Sequence, residues 1–129
     1  MVPIKNSTLC SSSPELSLLE TVSTKWAPLV ILALEEKKLR HGELQRAIGV
    51  ISQKVLTQTL RALERDGVVT RHVYPVVPPH VEYELTPSGV AVISTIKGFG
   101  NWAREHYAET AEARKVFEAA IASRRTVQE

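Results

Sequence analysis

Apolar residues recur along this chain with two different periods, and the change of period organises it. Ser13-Pro14-Glu15 predicts a helix start, with a hydroxyl N-cap, proline at the first position and an acid in the first turn. Leu16, Leu19 and Val22 form the apolar stripe of that helix. Ser23-Thr24 breaks it and caps the next. Pro28 fixes the start of the second helix near 24–26, because proline is tolerated only in the first turn. Trp26, Leu29, Val30, Leu32 and Ala33 or Leu34 make this second helix apolar most of the way round, as a central core helix would be. A charged connection, 35–40, leads to a short helix over about 41–48 with Leu44, Ala47 and Ile48 facing inward. Gly49-Val50-Ile51 then turns into a longer helix, about 52–66. Leu56, Leu60 and Leu63 lie there at i, i+4 and i+7, Ser52 is the expected N-cap and Gly67 the stop.

After Gly67 the period falls to two. Val69, Arg71 and Val73 alternate with Thr70 and His72, and Val81, Tyr83 and Leu85 alternate with Glu82 and Glu84. The intervening Pro75-Val76-Val77-Pro78-Pro79 cannot lie inside a strand. The pattern predicts a hairpin, about 68–86, with one face of its second strand buried. Thr86-Pro87 caps a long helix carrying Val90, Ile93, Ile96, Phe99 and Trp102, with a kink or break expected at Gly98 and Gly100. A last helix, about 108–123, carries Ala113, Val116, Phe117, Ala120 and Ile121 on one side. Two short helices joined by a glycine-containing turn, followed by a hairpin, form a winged helix-turn-helix. The expected class is therefore α+β, mostly α, with a two-stranded wing and extra N- and C-terminal dimerisation helices. The expected organisation is a flexible arm over 1–12, the winged helix-turn-helix over 13–107 and a dimerisation helix over 108–129.

Composition changes this picture little; charge changes it more. The 129 residues suffice for one domain with a real core. The net charge is only +2, but it is unevenly placed. Lys37 to His80 holds eight basic and three acidic residues, hence +5, while the rest holds eight basic and eleven acidic, hence −3. A positive centre between acidic flanks suits a polyanion-binding surface. On the 52–66 helix, Lys54, Gln58, Arg61 and Arg65 fall in a band roughly 60° wide opposite the leucines, with Thr57 at its edge. These side chains can reach phosphates and base edges.

Cys10 is the only cysteine, which excludes an internal disulfide and a cysteine-based metal site. His41, His72, His80 and His106 lack metal-ligand spacing, and no nucleophile–base, paired-carboxylate or phosphate-loop arrangement stands out. The expectation is no enzyme, no metal and no cofactor. Trp26 and Trp102 are read as core anchors. The longest apolar run, Ala27 to Leu34, is too short to span a membrane, and the N-terminus lacks a signal-peptide core, so a cytoplasmic protein is expected.

The residues that carry a family likeness are Lys25-Trp26 with Val30-Ile31 and Leu34; Arg40 with Glu43-Leu44; Ile51 through Thr57; Leu60 with Leu63-Glu64; Gly67-Val68 with Arg71; and Pro78-Pro79 followed by Val81-Glu82-Tyr83, Leu85-Thr86 and Gly89. With these, the chain resembles the HxlR-type winged helix-turn-helix transcription regulators, a group related to the MarR repressors. The likeness runs from about Ser13 to His106, and the Pro-Pro-x-Val-Glu-Tyr-x-Leu-Thr wing is its most specific part.

The resemblance implies a homodimeric bacterial or archaeal repressor or activator that binds double-stranded DNA at a near-palindromic operator. The 52–66 helix would enter the major groove and the wing would follow the adjacent backbone. The candidate DNA-binding residues are Arg40, Ser52, Gln53, Lys54, Thr57, Gln58, Arg61, Arg71 and His80. Arg40 could instead pair with Glu43, and Arg71 with Glu82 or Glu84; Arg65 is read as a solvated charge complementing the helix dipole. The candidate dimerisation residues are Leu16, Leu19, Val116, Phe117, Ala120 and Ile121. An effector, small-molecule or redox, belongs with such a regulator. The alternative reading is a winged-helix protein-interaction module without DNA binding. The chain departs from the family at Ser13 (usually Cys), His41 (usually aromatic), Val50 (usually Gly) and His80 (usually basic). Some relatives use the thiol at the Ser13 position as a redox switch. Cys10, three residues upstream in the arm, is expected to have an ordinary thiol pKa and ordinary reactivity.

Overall fold

The structure, a computed structural model, describes residues 9–128. Residues 1–8 of the expected arm lie outside them. Among the described residues five helices and three strands follow one another: α1 (Glu15–Val22), α2 (Ala27–Ala33), β1 (Leu39–Arg40), α3 (His41–Ile48), α4 (Gln53–Arg65), β2 (Val69–Tyr74), β3 (His80–Leu85) and α5 (Pro87–Gln128). The chain forms two compact units that part between Ile93 and Ser94, within α5.

In the first unit α2, α3 and α4 enclose the core. Ala27, Val30, Ile31 and Leu34 meet Leu44, Ile51, Leu56, Leu60 and Leu63, all buried. Each buried leucine or isoleucine contributes about 1.5–3 kcal/mol of hydrophobic free energy. The three leucines of α4 therefore fix which side of that helix turns outward. Ser52 has an extended backbone, and its hydroxyl accepts the Val55 N–H at 3.1 Å, the N-cap expected for α4. At the other end Gly67 takes φ +72°. The Val68 N–H reaches the Leu63 carbonyl at 2.8 Å and the Gly67 N–H that of Glu64 at 3.0 Å, a Schellman closure requiring a left-handed residue.

The sheet is antiparallel with order β1-β3-β2. The hairpin register pairs Val69 with Leu85, Arg71 with Tyr83 and Val73 with Val81 on one face, and Thr70 with Glu84, His72 with Glu82 and Tyr74 with His80 on the other. Thr86 joins helix, sheet and α5. Its hydroxyl lies 2.6 Å from the Gly67 carbonyl and 3.0 Å from that of Val68, donating its one hydrogen between them, and it accepts the Gly89 N–H at 3.3 Å as the cap of α5.

Several expectations are corrected. The two-stranded wing gains a third strand in its sheet, because Leu39-Arg40 pairs with Tyr83 and Glu82; two residues among charged neighbours leave no period to read. Ser13 does not cap α1. Pro14 occupies the N-cap position, and the Ser13 hydroxyl accepts the Cys10 N–H at 2.9 Å. Leu29 and Ala47 face outward, and Val81, Tyr83 and Leu85 are half-buried because a small sheet covers only part of its inner face. Trp26 is half-buried, and Trp102 is 62% exposed instead of anchoring a core. No break occurs at Gly98 or Gly100. About 1 kcal/mol per glycine is too little to interrupt the 42-residue α5.

Candidate nucleic-acid interface

The site is built outward from α4. Its leucine face is held in the core, so Lys54, Gln58, Arg61 and Arg65 are exposed along the opposite side, and Gln53 is exposed as the first residue of the helix. The approach of α3 to α4 is set by the intervening turn. Gly49 takes φ +95°, and the Gln45 side-chain amide donates to the Ile51 carbonyl at 3.0 Å. Val50, where the family usually has glycine, is 92% exposed and so meets no packing constraint. Thr57 is half-buried, its hydroxyl 3.1 Å from His41 Nε2, which links the start of α3 to α4. His41 was not a candidate residue. Its contact arises only once α3 and α4 are docked.

Two clefts flank α4. One, of about 470 Å³, separates it from α1 and the start of α2 and includes Trp26, Val55, Gln58 and Arg65 in its lining. The other, of about 360 Å³, separates it from the sheet and is lined by Thr57, Arg61, Glu64, Arg71 and Tyr83. Three expected DNA-binding residues, Thr57, Arg61 and Arg71, therefore meet at one cleft. The carboxylates that might have paired with Arg71 are engaged elsewhere. Glu84 lies 3.2 Å from His72 Nε2, and Glu82 lies 3.0 Å from His80 Nε2.

Arg40 and His80 sit on the other face of the sheet. The Arg40 backbone N–H donates to the Glu43 carboxylate at 2.9 Å, while its guanidinium Nη2 lies 3.3 Å from His80 Nδ1. Arginine can only donate, so Nδ1 must accept; the imidazole proton then sits on Nε2, which faces Glu82. The His80 ring also lies against Tyr74, with centroids 4.6 Å apart. Lys38 donates to the Tyr74 hydroxyl at 3.4 Å and lies 4.0 Å from Glu82. Arg65, expected as a solvated charge at the helix end, is exposed in the last turn of α4 and also makes bonds there. Its Nε donates to Asp66 at 3.1 Å and its Nη2 to the Thr21 hydroxyl at 3.2 Å, joining the end of α4 to α1.

The profile of the HxlR-like helix-turn-helix family matches residues 21–111, more than two thirds of the chain. This protein belongs to the HxlR-like family. It is similar to the uncharacterized HTH-type transcriptional regulator YtfH of Escherichia coli (strain K12), with 45% identity over 89 residues, 69% of this chain and 71% of the relative. Among solved structures it is similar to a protein named as a transcriptional regulator, ytfH, from Salmonella typhimurium. That match has a TM-score of 0.74 and 36% identity, covering 84% of this chain and 97% of the other. It is also similar to the redox regulator HypR in its reduced form, at TM-score 0.69 and 33% identity, covering 78% and 99%. The fold is a winged helix-turn-helix, and the HxlR-like chain is a transcriptional regulator of the DNA-binding helix-turn-helix class, not an enzyme. No single helix is long and apolar enough to cross a membrane among the described residues.

One expectation about this HxlR-like chain is overturned. Cys10 lies in a turn closed by the Ser13 N–H on the Cys10 carbonyl at 2.9 Å, with its sulfur 3.2 Å from the Ser12 hydroxyl and 3.4 Å from that of Ser13. The Ser12 hydroxyl, then that of Ser13, stabilise the thiolate and lower the thiol from 9.0 to about 7. The ordinary pKa expected for this thiol followed from treating residues 9–12 as an arm without fixed partners.

Proposed function

We propose that this protein acts as a cytoplasmic homodimer that binds a near-palindromic operator, with α4 in the major groove and the β2–β3 wing on the flanking backbone. The observation that carries this reading is the outward ridge of α4. Lys54, Gln58 and Arg61 are exposed donors on a helix whose opposite face is locked by three fully buried leucines. Ser52, Gln53 and Thr57 extend the contact at the N-terminal end of α4. Arg71 contributes from the wing, and Arg40, with His80 behind it, from the base of the sheet. The described elements from α1 to Tyr107 constitute the DNA-binding part.

Residues 108–129 supply dimerisation together with α1. On α1, which also carries Leu16, Leu19 is 45% exposed; on α5, which also carries Ala120 and Ile121, Val116 is 62% exposed and Phe117 66%, apolar surfaces that a second copy would cover. Its effector is a small molecule or an oxidant.

Titrating a native upstream DNA fragment against salt tests the DNA reading, because log K should fall with slope ~−0.9 per phosphate neutralised. A flat response would return the protein to the interaction-module reading. Sedimentation at micromolar concentration should give a dimer, and truncation after Tyr107 should weaken operator binding by unlinking the two half-sites. A monomeric full-length protein would contradict the dimer.

A further inference from the structure

We infer that the cleft between α4 and the sheet seats a single DNA backbone phosphate, clamped by Arg61 and Arg71 with the Tyr83 hydroxyl as a third donor. This rests on the DNA reading above and refines it in two ways. Arg61 becomes a backbone clamp and not a base reader, and Tyr83, absent from the expected interface, becomes a DNA contact.

The placement follows from helix and sheet geometry. With Leu56 at the centre of the buried side of α4, Leu60 and Leu63 lie within about 40° of it, and Glu64, Thr57 and Arg61 lie about 80°, 100° and 140° round on one flank. Lys54 and Gln58 lie about 160° and 200° round, at the outermost ridge. Arg61 is thus the ridge residue closest to the sheet. It is also the ninth residue of the thirteen in α4, whereas recognition helices meet base edges mainly through their N-terminal residues.

From the sheet side, Arg71 is directly opposite Tyr83, and Tyr83 opposite Leu39, so all three share one face. That face also carries Val69, buried, and its partner Leu85. It is the face turned to α4, and Arg71 and Tyr83 are its next residues outward. Both flanks therefore line the same cleft of about 360 Å³. A tetrahedral oxyanion, a few water volumes of ~30 Å³ each, has room there.

The donors suit a phosphate. Guanidinium groups pair with phosphate oxygens in a fork, and a phenol adds one neutral donor. The Thr57 hydroxyl also lines the cleft, shared with His41. Glu64 is the one carboxylate in the lining. It offsets part of the repulsion between two guanidiniums in the empty cleft, and it opposes the anion when the cleft fills. Glu64→Gln should therefore strengthen binding several-fold at low salt.

The test uses the full-length protein and an operator located by footprinting, with Arg61→Ala, Arg71→Ala, the double variant and Tyr83→Phe. Each arginine variant should lose ~10-fold in affinity, equally on the operator and on its single-base-pair variants, with an unchanged melting temperature. Tyr83→Phe should lose about 2- to 5-fold. If two arginines share one phosphate, the double variant lowers the salt slope by ~0.9; two separate phosphates would give ~1.8. Replacing backbone phosphates one at a time by neutral methylphosphonates should reveal one position where both arginine penalties shrink below about 2-fold. The inference is overturned if Arg61→Ala relaxes preference at one base pair, if the double variant gives the larger slope change, or if both penalties survive at every neutralised phosphate. A parent protein that shows no preference for its operator would overturn the DNA reading itself, and this inference with it.

Discussion

Two glycines in α5 should respond to the same substitution with opposite signs. Gly89 lies in the first turn, where an added Cβ would overlap the Val68 carbonyl oxygen and approach Leu85 Cδ2 to 2.9 Å. The carbonyl cannot yield freely, because it already accepts from the Thr86 N–H at 3.1 Å and the Thr86 hydroxyl at 3.0 Å. Overpacking of this kind costs ~1–3 kcal/mol, and a displaced hydrogen bond adds ~1 kcal/mol. The gain in helix propensity from glycine to alanine returns at most ~1 kcal/mol. Gly89→Ala should therefore destabilise the protein by ~1–3 kcal/mol. Gly100, in the same helix, has nothing within 4 Å of the added Cβ. Only the propensity and unfolded-state effects remain there, so Gly100→Ala should stabilise by ~0.5–1 kcal/mol. Urea unfolding followed by circular dichroism at one protein concentration separates the two, with unchanged m-values as the check on two-state behaviour. If both variants shift the midpoint the same way, the close approach of α5 to Val68 is not as described.

Leu60→Ala, at a position 1% exposed, should cost ~2–5 kcal/mol in the same unfolding measurement; a loss under ~1 kcal/mol would mean that α4 does not pack by its leucine face. Cys10 should be alkylated by iodoacetamide with a pH midpoint near about 7 instead of 9.0, and Ser12→Ala, which removes the largest stabilising hydrogen bond, should move the midpoint upward. Because the folded thiol is depressed, its stabilising contribution is fully present above the unfolded value and is lost as pH falls through about 7. An alkylation midpoint near 9.0 would mean that the Cys10–Ser13 turn does not form in solution.

The elements legible in the sequence are those in which one strong local signal agrees with packing. In α4 the leucine spacing, the Ser52 cap and the Gly67 stop all point to the same helix, and each is present. What was not legible depends on partners distant in sequence. The two residues of β1 become a strand only because β3, some forty positions later, offers free backbone groups to Leu39 and Arg40. Period two correctly gave the faces of the hairpin, but burial of Val81 and Tyr83 needs a covering layer that a three-stranded sheet lacks. Trp102 shows the same limit from the opposite side. Its type and spacing suggest a core, yet apolar character says only that a surface wants covering, not that the same chain covers it.

For the site the division is similar, because residue type alone does not fix a role. The exposed band on α4 follows from angle and charge, so Lys54, Gln58 and Arg61 were identifiable without coordinates. The distinction between a base reader and a backbone clamp is not a property of arginine; it depends on whether Arg61 faces open solvent or a second guanidinium across a cleft. Tyr83 was hidden because alternation assigned it to a buried face, and alternation cannot say where along that face burial ends. Arg40 and His80 were chosen as parallel contacts, yet their geometry is serial: Glu82 holds the His80 Nε2 proton, which leaves Nδ1 as the acceptor for Arg40. A histidine at that place can hold an arginine only while its Nδ1 bears no proton. The histidine that stands where the family usually has a basic residue therefore positions, in this arrangement, another residue's charge.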